Sequence, residues 1–175
     1  MDSDIVDVVD RSDRVIFQTT RKEMRMKVLI HRTSHFFLFN SSGEIFLTKR
    51  SKNKDYAPLK WEIGQGGVAD ANESYDECAK RELNEELGID SKPIFLFKTY
   101  FEDHRTKLFA CVYEASSDSK PILQKEEIEE GKFITIPNLE MWVRDSPDDF
   151  SSDSIAIYRI LNSYKNSIPF TFSDD

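Results

Sequence analysis

Three carboxylates, Glu82, Glu85 and Glu86, fall three and four positions apart inside GVADANESYDECAKRELNEELGI, residues 67–89. On a helix that spacing gathers them on one face, where like charges repel by roughly a few tenths of a kcal/mol per pair. A face of this kind either stays in water or meets a cation. Hard divalent cations, Mg2+ above all, take oxygen ligands and commonly bridge protein carboxylates to substrate phosphates. The chemistry to weigh against a solvated acidic face is therefore metal-assisted work on a phosphorylated compound.

The helix itself is well marked. Ser74 and Glu77 form an S-x-x-E capping box and Gly88 stands at the far end, so the sequence predicts a helix over residues 75–87. Tyr75, Ala79, Leu83 and Leu87 then make an apolar row beside the carboxylates, suited to packing on a sheet.

The spacing is more specific than an acidic helix. Gly67, five residues, Glu73, seven residues, then Arg81-Glu82-Leu83-x-Glu85-Glu86-x-Gly88-Ile89 reproduces every fixed position of the Nudix box. At average residue usage a chance match in a chain of this length is on the order of 10⁻⁸ to 10⁻⁷, which removes the solvated-face reading. The chain thus resembles the Nudix hydrolase family. A looser similarity, running from Val8 through the box and including IHRTSHFFLFN, FLTKRS and LKWEIGQGG, is to the Nudix subgroup that looks like isopentenyl diphosphate isomerase.

The resemblance implies an α/β/α sandwich of the α+β class, with a mixed sheet between helices, and Mg2+- or Mn2+-dependent cleavage of a diphosphate linked to another moiety. It places the metal ligands at Glu82, Glu85 and Glu86, with the Gly67 carbonyl as a further ligand, and gives Glu73 and Arg81 the task of orienting loop and helix through charge-assisted hydrogen bonds. The general base varies across the family. Glu82 is one candidate, and the run KEEIEE at residues 125–130 is either a solvated turn or the source of another at Glu127, so the catalytic set is Glu82, Glu85 and Glu127. Arg32, Lys49 and Arg50 are candidate phosphate contacts or plain solubilising charges. Trp61, Tyr56 and Tyr100 are candidate stacking platforms or core aromatics. His31 is similar to a metal-binding histidine of the isomerases, and equally reads as a satisfied structural histidine.

Two competing readings can be weighed on the residues. The isomerases carry a catalytic cysteine in the strand before the box, where this chain has WEIGQG and no cysteine; Cys78 and Cys111 lie elsewhere. Alkene protonation needs an acid at that place, so isomerase chemistry is disfavoured. A catalytically silent nucleotide- or protein-binding module is the other alternative, but silent members generally lose box carboxylates and all three are present here.

The whole chain fits this picture. With 175 residues, 39% hydrophobic and 12% aromatic, it suits one domain, taken as residues 1–175 with an N-terminal extension at 1–27 and a tail at 168–175. A formal charge of -8 opposes nucleic acid polymers and anionic membranes as partners and favours a small diphosphate compound. Two cysteines make neither a disulfide framework nor a paired zinc motif. No apolar run approaches the roughly 18 residues of a span, and the acidic start lacks the basic region of a signal peptide, so a reducing, cytoplasmic setting is expected. A homodimer remains open.

The elements that must position the box follow from turn and period signals. IVDVVD and DRVIFQTT, joined at Arg11, Ser12 and Asp13, read as a hairpin, followed by a short helix in RKEMRMKV. Residues 31–40 and 44–50 read as a second hairpin across Ser41, Ser42 and Gly43, and residues 51–60 as a loop. KPIFLFKTYF and HRTKLFACVYEA form another antiparallel pair, KFITI one more strand. SPDDFSSDS breaks or caps a final helix whose apolar repeat is Ile155, Ile157, Ile160 and Leu161, and Phe170 and Phe172 of the tail dock or fray.

Overall fold

The structure, a computed structural model, describes residues 4–54 and 56–167. The tail with Phe170 and Phe172 lies outside the described residues. Chain order is β1 (Ile5–Val9), β2 (Val15–Thr20), α1 (Arg21–Met26), β3 (Ile30–Phe39), β4 (Ile45–Arg50), β5 (Trp61–Ile63) and β6 (Gln65–Val68). There follow α2 (Tyr75–Leu87), β7 (Ile94–Glu102), β8 (Lys107–Ser116), β9 (Ile128–Ile134), α3 (Ile136–Asp145), a 3-10 turn (Pro147–Asp149) and α4 (Ser152–Ser167). Among the described residues no helix is long and apolar enough to cross a membrane.

Strand β3 organises the sheet. Its whole length runs parallel to β8, from Ile30↔Lys107 to Phe39↔Ser116, while its middle pairs antiparallel with β6 from Thr33↔Val68 to Phe36↔Gln65. Because side chains alternate across a strand, β3 feeds two cores. Phe36 and Leu38 pack with Ala79, Leu83 and Leu87 of α2, and Phe37 packs with Leu139 and Val143 of α3 and with Ile157, Tyr158 and Leu161 of α4. Helices therefore cover both faces of a mixed sheet, the sandwich expected from the sequence.

Several expectations are refined. The predicted hairpin of residues 31–40 and 44–50 closes only at Phe39↔Ile45. Beyond that pair β3 turns to β6 and β8, and β4 turns to β5 and β9, so the two strands splay apart. Helix α3 was not foreseen: Pro137 obscures it, yet proline is tolerated in a first turn, where its missing N–H leaves no helical bond unmade. Ile160 is partly exposed, and Tyr158 takes the buried place beside Ile157 and Leu161. The acidic run at 125–130 is a turn that enters β9 at Ile128.

Helix α2 spans the predicted residues. Ser74 Oγ accepts from the Glu77 amide while a Glu77 carboxylate oxygen accepts from the Ser74 amide, and Gly88 ends the helix at φ 64. The N-terminal hairpin is tied to the loop that leads into α2. Ile5 O accepts from the Ala71 amide at 2.8 Å, Asp7 Oδ2 accepts from the Asn72 amide at 3.1 Å, and Val6 packs with Met24 and Val68. At the hairpin turn, Asp13 accepts from Arg32 Nε at 2.7 Å, Tyr75 Oη at 3.0 Å, and Lys98 Nζ. Burial alone would raise the Asp13 carboxyl, but these donors outweigh it and hold it below the ordinary carboxylate range.

Candidate active site

Helix α2 leans on β6, and the seam between them opens into a cleft of about 250 Å³. Glu82 and Glu86 turn into it and are only 8% and 7% exposed, whereas Glu85 stands at its outer rim. Burial pushes the Glu82 carboxyl up, against the pull of Arg81. Glu86 is pushed well above its ordinary value, first by burial and then by Glu82 and Glu62, with Lys54 and Arg50 only partly offsetting this.

Arg81 ties the box together. Its Nε and Nη2 meet the two oxygens of Glu73 at 2.7 and 2.8 Å, and Nη1 donates to Glu82 at 2.7 Å and to Glu85 at 3.2 Å. Burial works against the Glu73 charge, but the guanidinium and the Asp70 amide prevail and hold its carboxyl low. Such a bidentate pair fixes direction as well as distance, so the loop carrying Gly67 and the helix carrying the glutamates move as one piece. Gly67 leaves room for the Glu82 carboxylate: a Cβ there would stand 2.0 Å from Glu82 Oε1, so that side chain would have to shift. Its carbonyl faces the Cys78 thiol at 3.7 Å.

Among the described residues, no three acidic, histidine or cysteine side chains stand together in a ready cation-binding group, and Arg81 engages both Glu82 and Glu85. The donor chemistry nevertheless fits a hard divalent cation. Two nearly buried carboxylates sit side by side, destabilised by burial and by each other, above a glycine that leaves room for their oxygens.

The other sequence candidates divide. Glu127 lines the cleft from the turn before β9 and pairs with Lys54. Arg50, 9% exposed, bonds Glu62 at 2.5 Å and lines a smaller pocket that shares Gly66, Gly67 and Val68 with the cleft. Tyr56 lines that pocket too, its hydroxyl 3.0 Å from Ser152 Oγ.

Arg32, Lys49 and Trp61 do not line the cleft. Arg32 is committed to Asp13 under the Tyr75 ring. Lys49 and Trp61 are cross-strand partners and face a separate surface hollow, where Trp61 packs edge-on against Trp142. Strand alternation explains this split, because adjacent Lys49 and Arg50 point to opposite sides. Tyr100 lies away on β7, donating to Glu102 and packing on Phe109. His31 is buried, with Nδ1 3.1 Å from Leu29 O, and burial lowers its pKa to about 4, so its ring is neutral.

Sequence reasoning passed over Arg21 and Lys54, which also line the cleft. Lys54 sits in a loop without any motif. Arg21 had one usable signal, its i,i+4 spacing from Arg25 on a short helix.

A family model of the NUDIX domain matches residues 29–153, and the chain belongs to that family. It is 37% identical over 134 residues to PA4841 of Pseudomonas aeruginosa, described as an uncharacterized Nudix hydrolase, a match covering 76% of this chain and 79% of the relative. YfcD of Escherichia coli, with the same description, is 31% identical over 151 residues, covering 86% and 82%. Among solved structures, DR0079 from Deinococcus radiodurans superposes with a TM-score of 0.69 at 29% identity, covering 81% of this chain and 90% of that one.

Proposed function

We propose that the protein is a divalent-metal-dependent hydrolase that cleaves the diphosphate linkage of a nucleoside diphosphate joined to another moiety, or of a related small diphosphate compound. The observation that carries this reading is the pair Glu82 and Glu86, nearly buried side by side over Gly67 in a cleft that also holds Lys54 and Arg21. Carboxylates alone would repel a diphosphate, and cations alone would not need them. Their combination suits a substrate phosphate brought in with its metal.

Glu82, Glu85 and Glu86 would hold Mg2+ or Mn2+, with the Gly67 carbonyl beside them. When bound, such an ion neutralises phosphate oxygens and acidifies water. Arg81, fixed by Glu73, sets the approach of the helix to the loop and holds Glu82 and Glu85 in the meantime. Glu127 lines the same cleft from the turn before β9 and stands with Glu82 as a candidate to take the proton of the attacking water. Arg50 is the sequence-predicted phosphate contact that the geometry supports.

The similarity to isomerase-like Nudix proteins extends to scaffold and not to chemistry. Cys78 and Cys111 are buried, burial pushes both thiols up to about 12, and neither lines the cleft.

The test is phosphate-coupled turnover over a panel of diphosphate compounds with Mg2+ or Mn2+, beside Glu85→Gln and Glu86→Gln. At least tenfold loss in both variants at unchanged fold is expected, since a lost ligand removes transition-state charge stabilisation. Full activity in both would refute the site. A panel in which nothing turns over while one compound raises the melting temperature would favour a binding module instead.

A further inference from the structure

Strand β1 is buried along Val6, Asp7, Val8 and Val9, and a strand closed on both faces calls for apolar residues throughout. Asp7 breaks that pattern: it is a carboxylate only 4% exposed among valines. Taking such a group out of water is costly unless its oxygens find donors. Asp7 finds one in the loop that leads into α2, where Oδ2 accepts from the Asn72 amide at 3.1 Å. Gln18 Nε2 donates to Asp7 Oδ1 at 2.9 Å and to Asn72 Oδ1 at 3.2 Å. Asn72 is therefore held by both its backbone and its side chain. It stands at φ 67, a left-handed conformation that a non-glycine residue keeps where its surroundings impose it.

The next residue is Glu73. Its amide donates to Asp70 O at 3.0 Å, and its carboxylate accepts from the Asp70 amide at 2.9 Å and from Arg81 at 2.7 and 2.8 Å. Arg81 in turn holds Glu82 and Glu85. A run of hydrogen bonds thus joins a buried strand of the N-terminal hairpin to the carboxylates of the cleft, and that hairpin precedes residues 29–153, which carry the family match.

We infer that Asp7 is a positioning residue for the metal site: by holding the Asn72 amide it fixes the turn that aims Glu73 at Arg81, and so sets where Glu82 and Glu85 stand. The inference rests on the hydrolase reading of the cleft. Asp7 does not line the cleft, so its effect passes through the loop. The bond from the Ala71 amide to Ile5 O and the bridge between Val6 and Asp70 keep strand and loop side by side, so a change at Asp7 frees the turn without detaching the hairpin. Losing a partner outside the ligand shell typically costs on the order of 10- to 100-fold in metal affinity, and Asp7, farther out, belongs at the lower end.

Mn2+ is titrated calorimetrically into the full-length protein as wild type, Asp7→Val, Asp7→Asn and Val8→Ala, with circular dichroism showing which variants are folded. Asp7→Val suits the buried strand and removes both acceptor oxygens. Asp7→Asn removes the charge and keeps an oxygen for the Asn72 amide. Val8→Ala opens a cavity in the same strand, beside its partners Phe17 and His31. Mn2+ affinity should fall about tenfold in Asp7→Val and stay within about threefold of wild type in Asp7→Asn and Val8→Ala, a split that general loosening of the fold does not produce. In metal-free buffer the Asn72 amide should exchange with solvent about tenfold faster in Asp7→Val than in wild type, followed by NMR. If Asp7→Val does not fold, Asp7→Ala carries both comparisons.

Wild-type Mn2+ affinity or unchanged Asn72 exchange in the folded variant overturns the positioning role, as do equal affinity losses in that variant and Val8→Ala. A loss in Asp7→Asn as large as in Asp7→Val also overturns it, because the metal would then be sensing the charge and not the hydrogen bond. A wild type that binds no Mn2+ overturns the metal site and the inference together. Mn2+ affinity that depends on Asp7 as expected, in a protein that turns over no diphosphate compound, supports the inference and sinks the hydrolase reading alone.

Discussion

Replacing Gly67 by alanine perturbs the site without touching the scaffold. The new Cβ would lie 2.0 Å from Glu82 Oε1 and 2.4 Å from its Cδ, so the carboxylate must retreat by about 1.4 Å to reach the 3.4 Å of ordinary contact. What yields is the end of a flexible side chain. The Arg81–Glu82 ion pair at 2.7 Å is then lost, which costs about 1 kcal/mol at this half-buried position, or roughly 2–4 °C in melting temperature for a chain of this size. Catalysis should suffer far more, because displacing a catalytic group by about 1 Å can cost on the order of 10²-fold in rate.

Gly66→Ala makes the contrast. There the Cβ would meet the Ser34 carbonyl oxygen at 1.9 Å, at φ +147, inside the β3–β6 ladder, where only backbone can give way. Several kcal/mol and roughly 10 °C are expected to go. Calorimetric Mn2+ titration, turnover and thermal melts on both variants decide the matter. Wild-type Mn2+ affinity and turnover in folded Gly67→Ala would refute the idea that the Glu82 position governs the site, and equal destabilisation of the two variants would make Gly67 a scaffold residue.

Glu86→Gln removes a buried charge set against Glu82 and Glu62, so in metal-free buffer its melting temperature should rise by roughly 2–4 °C, for about 1 kcal/mol, even as turnover falls; a lower melting temperature would contradict the burial argument. Asp13→Ala strips Arg32, Lys98 and Tyr75 of a shared acceptor and should cost about 3 kcal/mol, read as a drop of roughly 6–12 °C in a thermal melt; an unchanged melt would mean the clamp does nothing for the fold. His31, held neutral by burial with a pKa near 4 against an ordinary 6.5, opposes protonation in the folded state. Its contribution is therefore full above pH 6.5 and declines as pH falls toward 4, by up to about 3 kcal/mol. His31→Gln should flatten the pH dependence of the urea midpoint in that window, and a slope identical to wild type would place His31 in contact with solvent.

How much of this could be read from the chain varies with the physics of each part. Helix α2 was legible to the residue because its capping box, apolar row and terminal glycine all act locally. The acidic wall came with it. The basic wall was not legible, since Arg21 and Lys54 reach the cleft only through tertiary placement, one by the pinned N-terminal hairpin and the other by a loop. Arg50 and Lys49 look equivalent in sequence, and only the facing direction of β4 separates them. The partners of β3 were hidden for a similar reason. A parallel ladder has no turn signal joining its strands, whereas the hairpins of β1 with β2 and β7 with β8 do.

That ladder has a kinetic consequence. Thr33 Oγ1 donates to Phe109 O across 76 positions of chain, and every pair along β3 and β8 closes a loop of comparable length. Such contacts are made late, after their entropy has been spent. The box helix can form early from its own caps, but the strand that presents Gly66 and Gly67 to it pairs with β3. During refolding, α-helical circular dichroism should therefore return before Mn2+ affinity, and amides of Phe36, Phe37 and Leu38 should be among the last to gain protection from exchange.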